Sequence, residues 1–166
     1  STPSRQERVL PAHKNIIIIF QSYCWSQIFQ NGKKIGLNDF KSKKLILSFY
    51  PKDNTPECTA ESCNLNDNYE MWLEKGYDVV GVSPDSEKSH LKFIDKYNLK
   101  FNLIADTNHE ILEAYDAWGE KSMYGRKYMG VIRTTYVINE EGIIEAVFEK
   151  VQTKDHTNQI IETLNI

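Results

Sequence analysis

No stretch of this 166-residue chain is apolar for long enough to cross a bilayer. The longest purely aliphatic run is Ile16 to Ile19, closed by Phe20. A basic excess is missing too. Twenty Lys and Arg stand against 23 Asp and Glu, a formal charge of −3, which argues against nucleic acid as a partner. Cysteine is scarce. Three residues, two of them close together, do not make the disulfide framework of a small secreted domain, and a cytoplasmic location is the expectation. No CxxC pair and no HxxxH occurs, and His13, His90, His109 and His156 are scattered, so a structural zinc site is not expected. Gly125 and Gly130 form no G-x-G-x-x-G pattern after a strand, which leaves no sign of a nucleotide cofactor. Internal repeats and low-complexity linkers are also absent. The length suits one α/β domain with a sizeable core.

The order of elements is legible from periodicity and punctuation. Residues 1–15 are polar, with Pro3, Pro11, Arg5 and Arg8, and read as a mobile tail. Ile16 to Phe20 reads as a short buried strand, and Cys24 beyond it as a packing cysteine. Ile28-Phe29, Asn31-Gly32 and Ile35 to Leu37 make a β-hairpin pattern. Leu45 to Tyr50 is a continuous apolar strand, as in the middle of a covered sheet. A helix is expected from Pro56 to about Lys75, stopped by Gly76, with Leu65, Tyr69, Trp72 and Leu73 as its apolar stripe. Strands follow at Tyr77 to Val82 and Phe101 to Ala105, with helices at Ser86 to Tyr97 and Asn108 to Tyr115. Trp118 to Met129 reads as irregular, with Trp118 and the Tyr124–Tyr128 region closing a pocket wall or joining the core. Thr134 to Asn139 and Ile143 to Phe148 pair through a turn at Glu140-Glu141-Gly142, and residues 155–164 form a last helix. This is a three-layer α/β plan with a mixed sheet, one domain over residues 1–166.

One stretch concentrates the chemistry: Tyr50-Pro51-Lys52-Asp53-Asn54-Thr55-Pro56-Glu57-Cys58, with Cys63 five residues on. Thr55 is a favoured N-cap, and Pro56 suits the first helical position. Cys58 then falls in the first turn, where unpaired N–H groups and the helix dipole favour a thiolate. On the helical wheel Cys58, Ser62 and Leu65 share the inward face, and Cys63 lies about 140° round with Asp67 and Glu70. A helix end contributes only about 0.3–1 kcal/mol. A strongly reactive thiol therefore needs a cation from elsewhere in the chain. A buried cysteine packing as a small apolar side chain is the bland alternative.

Pro51-x-x-x-Thr55-x-x-Cys58 resembles the active-site signature of the peroxiredoxins, thiol peroxidases on a thioredoxin-like fold. Phe49-Tyr50-Pro51-Lys52-Asp53, the cysteine at 63, Gly81-Val82-Ser83, Leu103-Ile104-Ala105-Asp106 and Arg133-Thr134-Thr135 resemble the bacterioferritin-comigratory, or Q-type, subfamily, over residues 31–164. The resemblance implies reduction of hydrogen peroxide and alkyl hydroperoxides. Cys58 would be the nucleophile that becomes a sulfenic acid, and Arg133 the missing cation, with Arg126, Lys52 and Lys127 lesser candidates. Thr55 would offer its hydroxyl to the peroxide, and Pro51 would shield the thiolate from water. Cys63 would be the resolving thiol, closing an intramolecular disulfide with Cys58. Five residues of helix rise about 7.5 Å, and Cα atoms beyond about 7 Å cannot be bridged in place, so that bond would require residues 56–64 to unwind. Asn64, Asn66 and Asn68 are poor helix formers and fit a marginal segment. Thioredoxin or a similar dithiol would be the reductant, and the chain would be a monomer without metal, flavin or nucleotide cofactor. Two departures from the subfamily pattern are residues 1–30 and Glu57, which replaces the usual Gly. Two other readings are a thioredoxin-like disulfide oxidoreductase, weakened by the missing CxxC, and a non-catalytic redox-sensing module, favoured only by Glu57.

Overall fold

In the computed structural model the described residues are 43–166, together with the backbones of Gln27–Ile28 (β1) and Lys34–Ile35 (β2). β1 and β2 pair antiparallel, Gln27 opposite Ile35, in agreement with the expected hairpin. The Ile16–Phe20 strand, the tail and Cys24 lie outside the described residues.

The sheet that carries the molecule has five strands, in the order β5-β4-β3-β8-β9. β3 (Lys44–Phe49), β4 (Tyr77–Ser83) and β5 (Asn102–Ala105) run parallel. β8 (Thr134–Ile138) is antiparallel to β3, and β9 (Ile144–Phe148) to β8. The sheet is therefore mixed. Side chains alternate across β3 because strand periodicity is two. Leu45, Leu47 and Phe49 enter one core with Val82, Ile104, Leu112 and Tyr136. Ile46 and Tyr50 enter the other, with Cys58, Leu65, Trp72, Phe93 and Ile160. The second face is covered by α1 (Pro56–Asp67), α2 (Tyr69–Glu74), α3 (Glu87–Tyr97) and α5 (His156–Leu164). The first is covered by α4 (Glu110–Ala114) and the segment after it. This is the thioredoxin-like three-layer arrangement that the sequence implies. Among the described residues, no helix is long and apolar enough to cross a membrane.

Two elements differ from expectation. The helix expected to reach Lys75 stops at Asp67 and restarts at Tyr69. Asn68 breaks it: its side-chain amide donates to the Asn64 carbonyl at 2.8 Å, taking the acceptor that a helical N–H would use. The break turns Leu73 outwards, so the expected stripe ends at Trp72. Gly76 terminates α2 as expected, with φ of +85°. The segment from Trp118 to Met129 is not irregular. It is a regular hairpin, β6 (Trp118–Met123) and β7 (Arg126–Val131), joined by Tyr124-Gly125 with both φ angles positive. Its tip is exposed, Tyr124 completely, while its base joins the core: Val131 is buried there and Trp118 packs against it. Trp118, at its base, stacks on His109 with ring centroids 3.8 Å apart.

Candidate active site

The chain leaves β3 at the C-terminal edge of the sheet, crosses the Tyr50–Thr55 turn and enters α1. Because β8 runs antiparallel to β3, it begins at that same edge, with Thr134 opposite Phe49. Arg133, the residue before β8, is thereby delivered beside the start of α1. Its Nη2 donates to Cys58 Sγ at 3.1 Å. Cys58 is buried, as the helical wheel requires. A charge-assisted bond of this kind is worth about 1.5–3 kcal/mol, more than the helix end itself contributes.

Glu61, which the sequence reading passed over, completes the arrangement. Three residues after Cys58 it lies on the same helix face, and it is 1% exposed. It accepts from Arg133 Nη1 and, at 2.8 Å, from Ser48 Oγ near the C-terminal end of β3. His156 Nε2 stands 3.9 Å from Oε1, the oxygen that Ser48 bonds. Burial pulls the Arg133 guanidinium down, but the Glu61 and Cys58 charges outweigh it and hold it above its ordinary value. His156 is held below its ordinary value, chiefly by burial, despite Glu61. Its Nε2 faces Thr135 Oγ1 at 2.9 Å and its Nδ1 faces Gln159 Oε1 at 2.9 Å. The guanidinium is thus oriented from behind by a buried carboxylate and presents its other edge to the sulfur. An acidic residue at the third position after a helix-start cysteine was the available signal for Glu61.

The remaining candidates fall into place around this pair. Thr55 is the N-cap, but its side chain does not cap the helix. Its hydroxyl donates to the Lys52 carbonyl at 2.9 Å, because the tight turn brings that acceptor within reach, and both hydroxyl lone pairs remain available. Pro51 is half-buried. Glu57 is 80% exposed and approaches Arg133 only to 3.9 Å, so it lies to the side of the guanidinium and points into solvent. Lys52, Arg126 and Lys127 are exposed; Lys127 pairs with Glu120 at 3.6 Å. Cys63 is half-buried rather than outward, and burial followed by the Asp67 charge pushes its thiol up. In the intact helix Cys63 is therefore a poor nucleophile.

Asn68 breaks the helix, as propensity suggests, but Asn64 and Asn66 do the opposite. Asn64 accepts from the Thr157 amide at 2.7 Å and donates to the Lys154 carbonyl at 3.2 Å. Asn66 accepts from the Lys100 amide at 2.7 Å and donates to the Asn98 carbonyl at 3.0 Å. Both fasten α1 to neighbouring segments, a tertiary gain that overrides their weak propensity.

Comparison with known proteins gives one answer. The AhpC/TSA family model matches residues 25–147. The chain is 42% identical to peroxiredoxin Bcp of Bacillus subtilis over 134 residues, which is 81% of this chain and 85% of that protein. It is 36% identical to peroxiredoxin Bcp of Escherichia coli over 135 residues, 81% and 86% of the two chains. Among solved structures, a cysteine-to-serine mutant of Xanthomonas campestris peroxiredoxin Q superposes with a TM-score of 0.81 at 31% identity, covering 89% of this chain and 92% of that one. A Xylella fastidiosa PrxQ mutant gives 0.80 at 30%, covering 85% and 87%. The chain belongs to the AhpC/TSA family, as a thiol-dependent peroxidase of the bacterioferritin-comigratory, or Q, type of peroxiredoxin.

Proposed function

We propose that Cys58 is the peroxidatic thiolate and that Cys63 resolves it within the same chain. The Cys58 sulfur attacks one oxygen of ROOH, the O–O bond breaks, and the leaving alkoxide takes a proton as ROH. Cys58 is left as the sulfenic acid. The Cys63 sulfur then displaces hydroxide from Cys58, which leaves as water, and a Cys58–Cys63 disulfide remains. A dithiol reductant of the thioredoxin kind exchanges with that disulfide and restores both thiols. The substrates are hydrogen peroxide and small alkyl hydroperoxides. We place the enzyme in the cytoplasm, on its three-cysteine composition, and as a monomer.

The observation that carries this reading is the Arg133 Nη2–Cys58 Sγ contact of 3.1 Å, with the other guanidinium edge held by Glu61. The N–H groups of Arg133 lie where negative charge develops on the breaking O–O bond. With its own proton committed to the Lys52 carbonyl, the Thr55 hydroxyl can accept from the O–H of the incoming peroxide. Pro51 adds no N–H donor that would solvate the thiolate or compete for it.

Peroxide consumption with dithiothreitol tests the reading. Wild type turns over and Cys58→Ser does not. After one equivalent of peroxide, peptide mass spectrometry finds Cys58 linked to Cys63. Equal rates for wild type and Cys58→Ser would remove the peroxidase, and the lack of that link would remove Cys63 as resolving thiol.

A further inference from the structure

Beside the thiol site lies a second buried polar cluster, built on Asp53 in the turn that leads to Cys58. Asp53 Oδ1 accepts from Tyr50 Oη at 2.6 Å. Asp53 Oδ2 accepts from Ser89 Oγ at 2.8 Å and faces His90 Nδ1 at 2.7 Å. His90 Nε2 faces the Ile104 carbonyl at 3.0 Å, and the ring is wholly buried. The Asp53 amide donates to Asp85 Oδ2 at 2.8 Å, which also accepts from Ser83 Oγ at 2.7 Å. Tyr50 stays a phenol: burial, and then the Asp53 carboxylate, raises it well above its ordinary value. Asp53, Asp85 and His90 converge as metal ligands would. However, both Asp53 oxygens, Asp85 Oδ2 and both His90 nitrogens are already engaged by protein groups, so the cluster is a hydrogen-bonded clamp.

What it clamps is a strained piece of chain. Asn54 has φ of +60°, a conformation that Asn tolerates and most residues resist. Its Oδ1 accepts from Lys96 Nζ at 3.2 Å and Tyr97 Oη at 3.0 Å. The 51–55 turn is thus held on one side by α3 and by the ends of β4 and β5. None of these bonds touches Cys58, Arg133 or Glu61. The next residue along is Thr55, the hydroxyl assigned to the peroxide above.

We infer that Asp53 and His90 form a positioning clamp, which fixes the Pro51–Thr55 turn against Cys58 so that peroxide meets a preset Thr55 hydroxyl. The inference rests on the peroxidase reading. The two residues act through the turn and do not contact substrate. A displacement of about 1 Å in such a group costs up to about a hundredfold in rate.

The test compares two reactions of Cys58 in the full chain at one pH. Peroxide oxidation, followed by stopped-flow tryptophan fluorescence, needs the turn. Alkylation by iodoacetamide, followed at the Cys58 peptide by mass spectrometry, needs only the thiolate. Asp53→Asn and His90→Gln are each expected to slow oxidation about tenfold or more while alkylation stays within twofold. The double variant is expected to be no slower than the slower single, because the pair works as a unit. Unchanged oxidation, or parallel loss of both reactions, overturns the clamp. If either variant fails to fold, Ser89→Ala, which removes one bond to Asp53 Oδ2, decides: slower oxidation with unchanged alkylation supports the clamp, and unchanged oxidation overturns it. A wild type that meets peroxide no faster than free dithiothreitol removes the peroxidase reading and the clamp together. A fast wild type with equally fast variants removes the clamp alone.

Discussion

The two halves of α1 are fastened by different chemistry. From Pro56 to Cys63 the hold is ionic: Cys58 and Glu61 grip the two edges of Arg133. From Asn64 to Asp67 the hold is neutral, side-chain amides bonded to the backbones of residues 98, 100, 154 and 157. The difference decides which half can respond to redox state. In the proposed mechanism Cys58 passes from thiolate to neutral sulfenic acid; Arg133 then loses one of two anionic partners, and the ionic hold weakens at its centre. The amide anchors carry no charge and do not change. The unwinding that the proposed Cys58–Cys63 bond demands would thus be directed to the eight residues ahead of Asn64, the half that contains both thiols.

Breaking the ionic hold gives the largest effect. In Arg133→Ala, peroxide oxidation of Cys58 is expected to fall between about tenfold and a hundredfold, the equivalent of a charged hydrogen bond of about 1.5–3 kcal/mol. Glu61 is left buried without its cation, so thermal stability falls by about 3–5 kcal/mol. Stopped-flow kinetics and thermal denaturation read the two. Arg133→Lys does not restore the rate, because an ammonium cannot hold both partners in the guanidinium geometry.

Glu61→Gln sharpens the contrast. It keeps an acceptor for Ser48 and removes the charge. Amide exchange across residues 56–63 is expected to rise tenfold or more, while residues 64–67 keep their protection. Equal loss along all of α1 would show that the two halves are one unit. Asn64→Ala is the reciprocal experiment. It orphans the Thr157 amide and should cost about 1–3 kcal/mol in denaturant unfolding. Exchange should rise at residues 64–67, and peroxide oxidation should stay within twofold of wild type.

The smallest effect is in acid. His156, behind Glu61, is held below its ordinary value by burial. The unfolded chain then binds the proton more readily than the folded one, so stability is full above the histidine's ordinary value and falls as pH drops through that value toward the depressed one. Against wild type, His156→Gln is expected to flatten the decline of melting temperature below about pH 6.5. An acid limb as steep as that of wild type would assign the decline to other groups.

How much of this could be read beforehand depended on whether the cause was local. The apolar runs of β3 and β4, the Gly76 stop and the Pro56 helix start are set by neighbouring residues, and each appeared where expected. A cation was required by a magnitude, since a helix end alone does too little for a thiol, but only the resemblance pointed to Arg133 as that cation. The β6–β7 hairpin was missed because its exposed part buries neither face and shows no clear alternation. Its sign was the Tyr124-Gly125 turn. The break at Asn68 and the anchoring by Asn64 and Asn66 depend on partners 4 to 93 residues away, which propensity does not weigh. The Thr55 hydroxyl turned to Lys52 rather than into the helix, because the geometry of the preceding turn decides which acceptor it reaches.

Cys58, the proposed nucleophile, and Arg133 are 75 residues apart in the chain, and this separation bears on how the protein is made. Synthesis runs from the N-terminus at about 5–20 residues per second. For several seconds a nascent chain exposes Cys58 with no Arg133 to pair with it, and His156 comes later still. During that interval the thiol lacks the guanidinium contact that the folded protein gives it. In the proposed mechanism full reactivity arrives only with the folded sheet, because β8 is the strand that brings Arg133 beside Cys58.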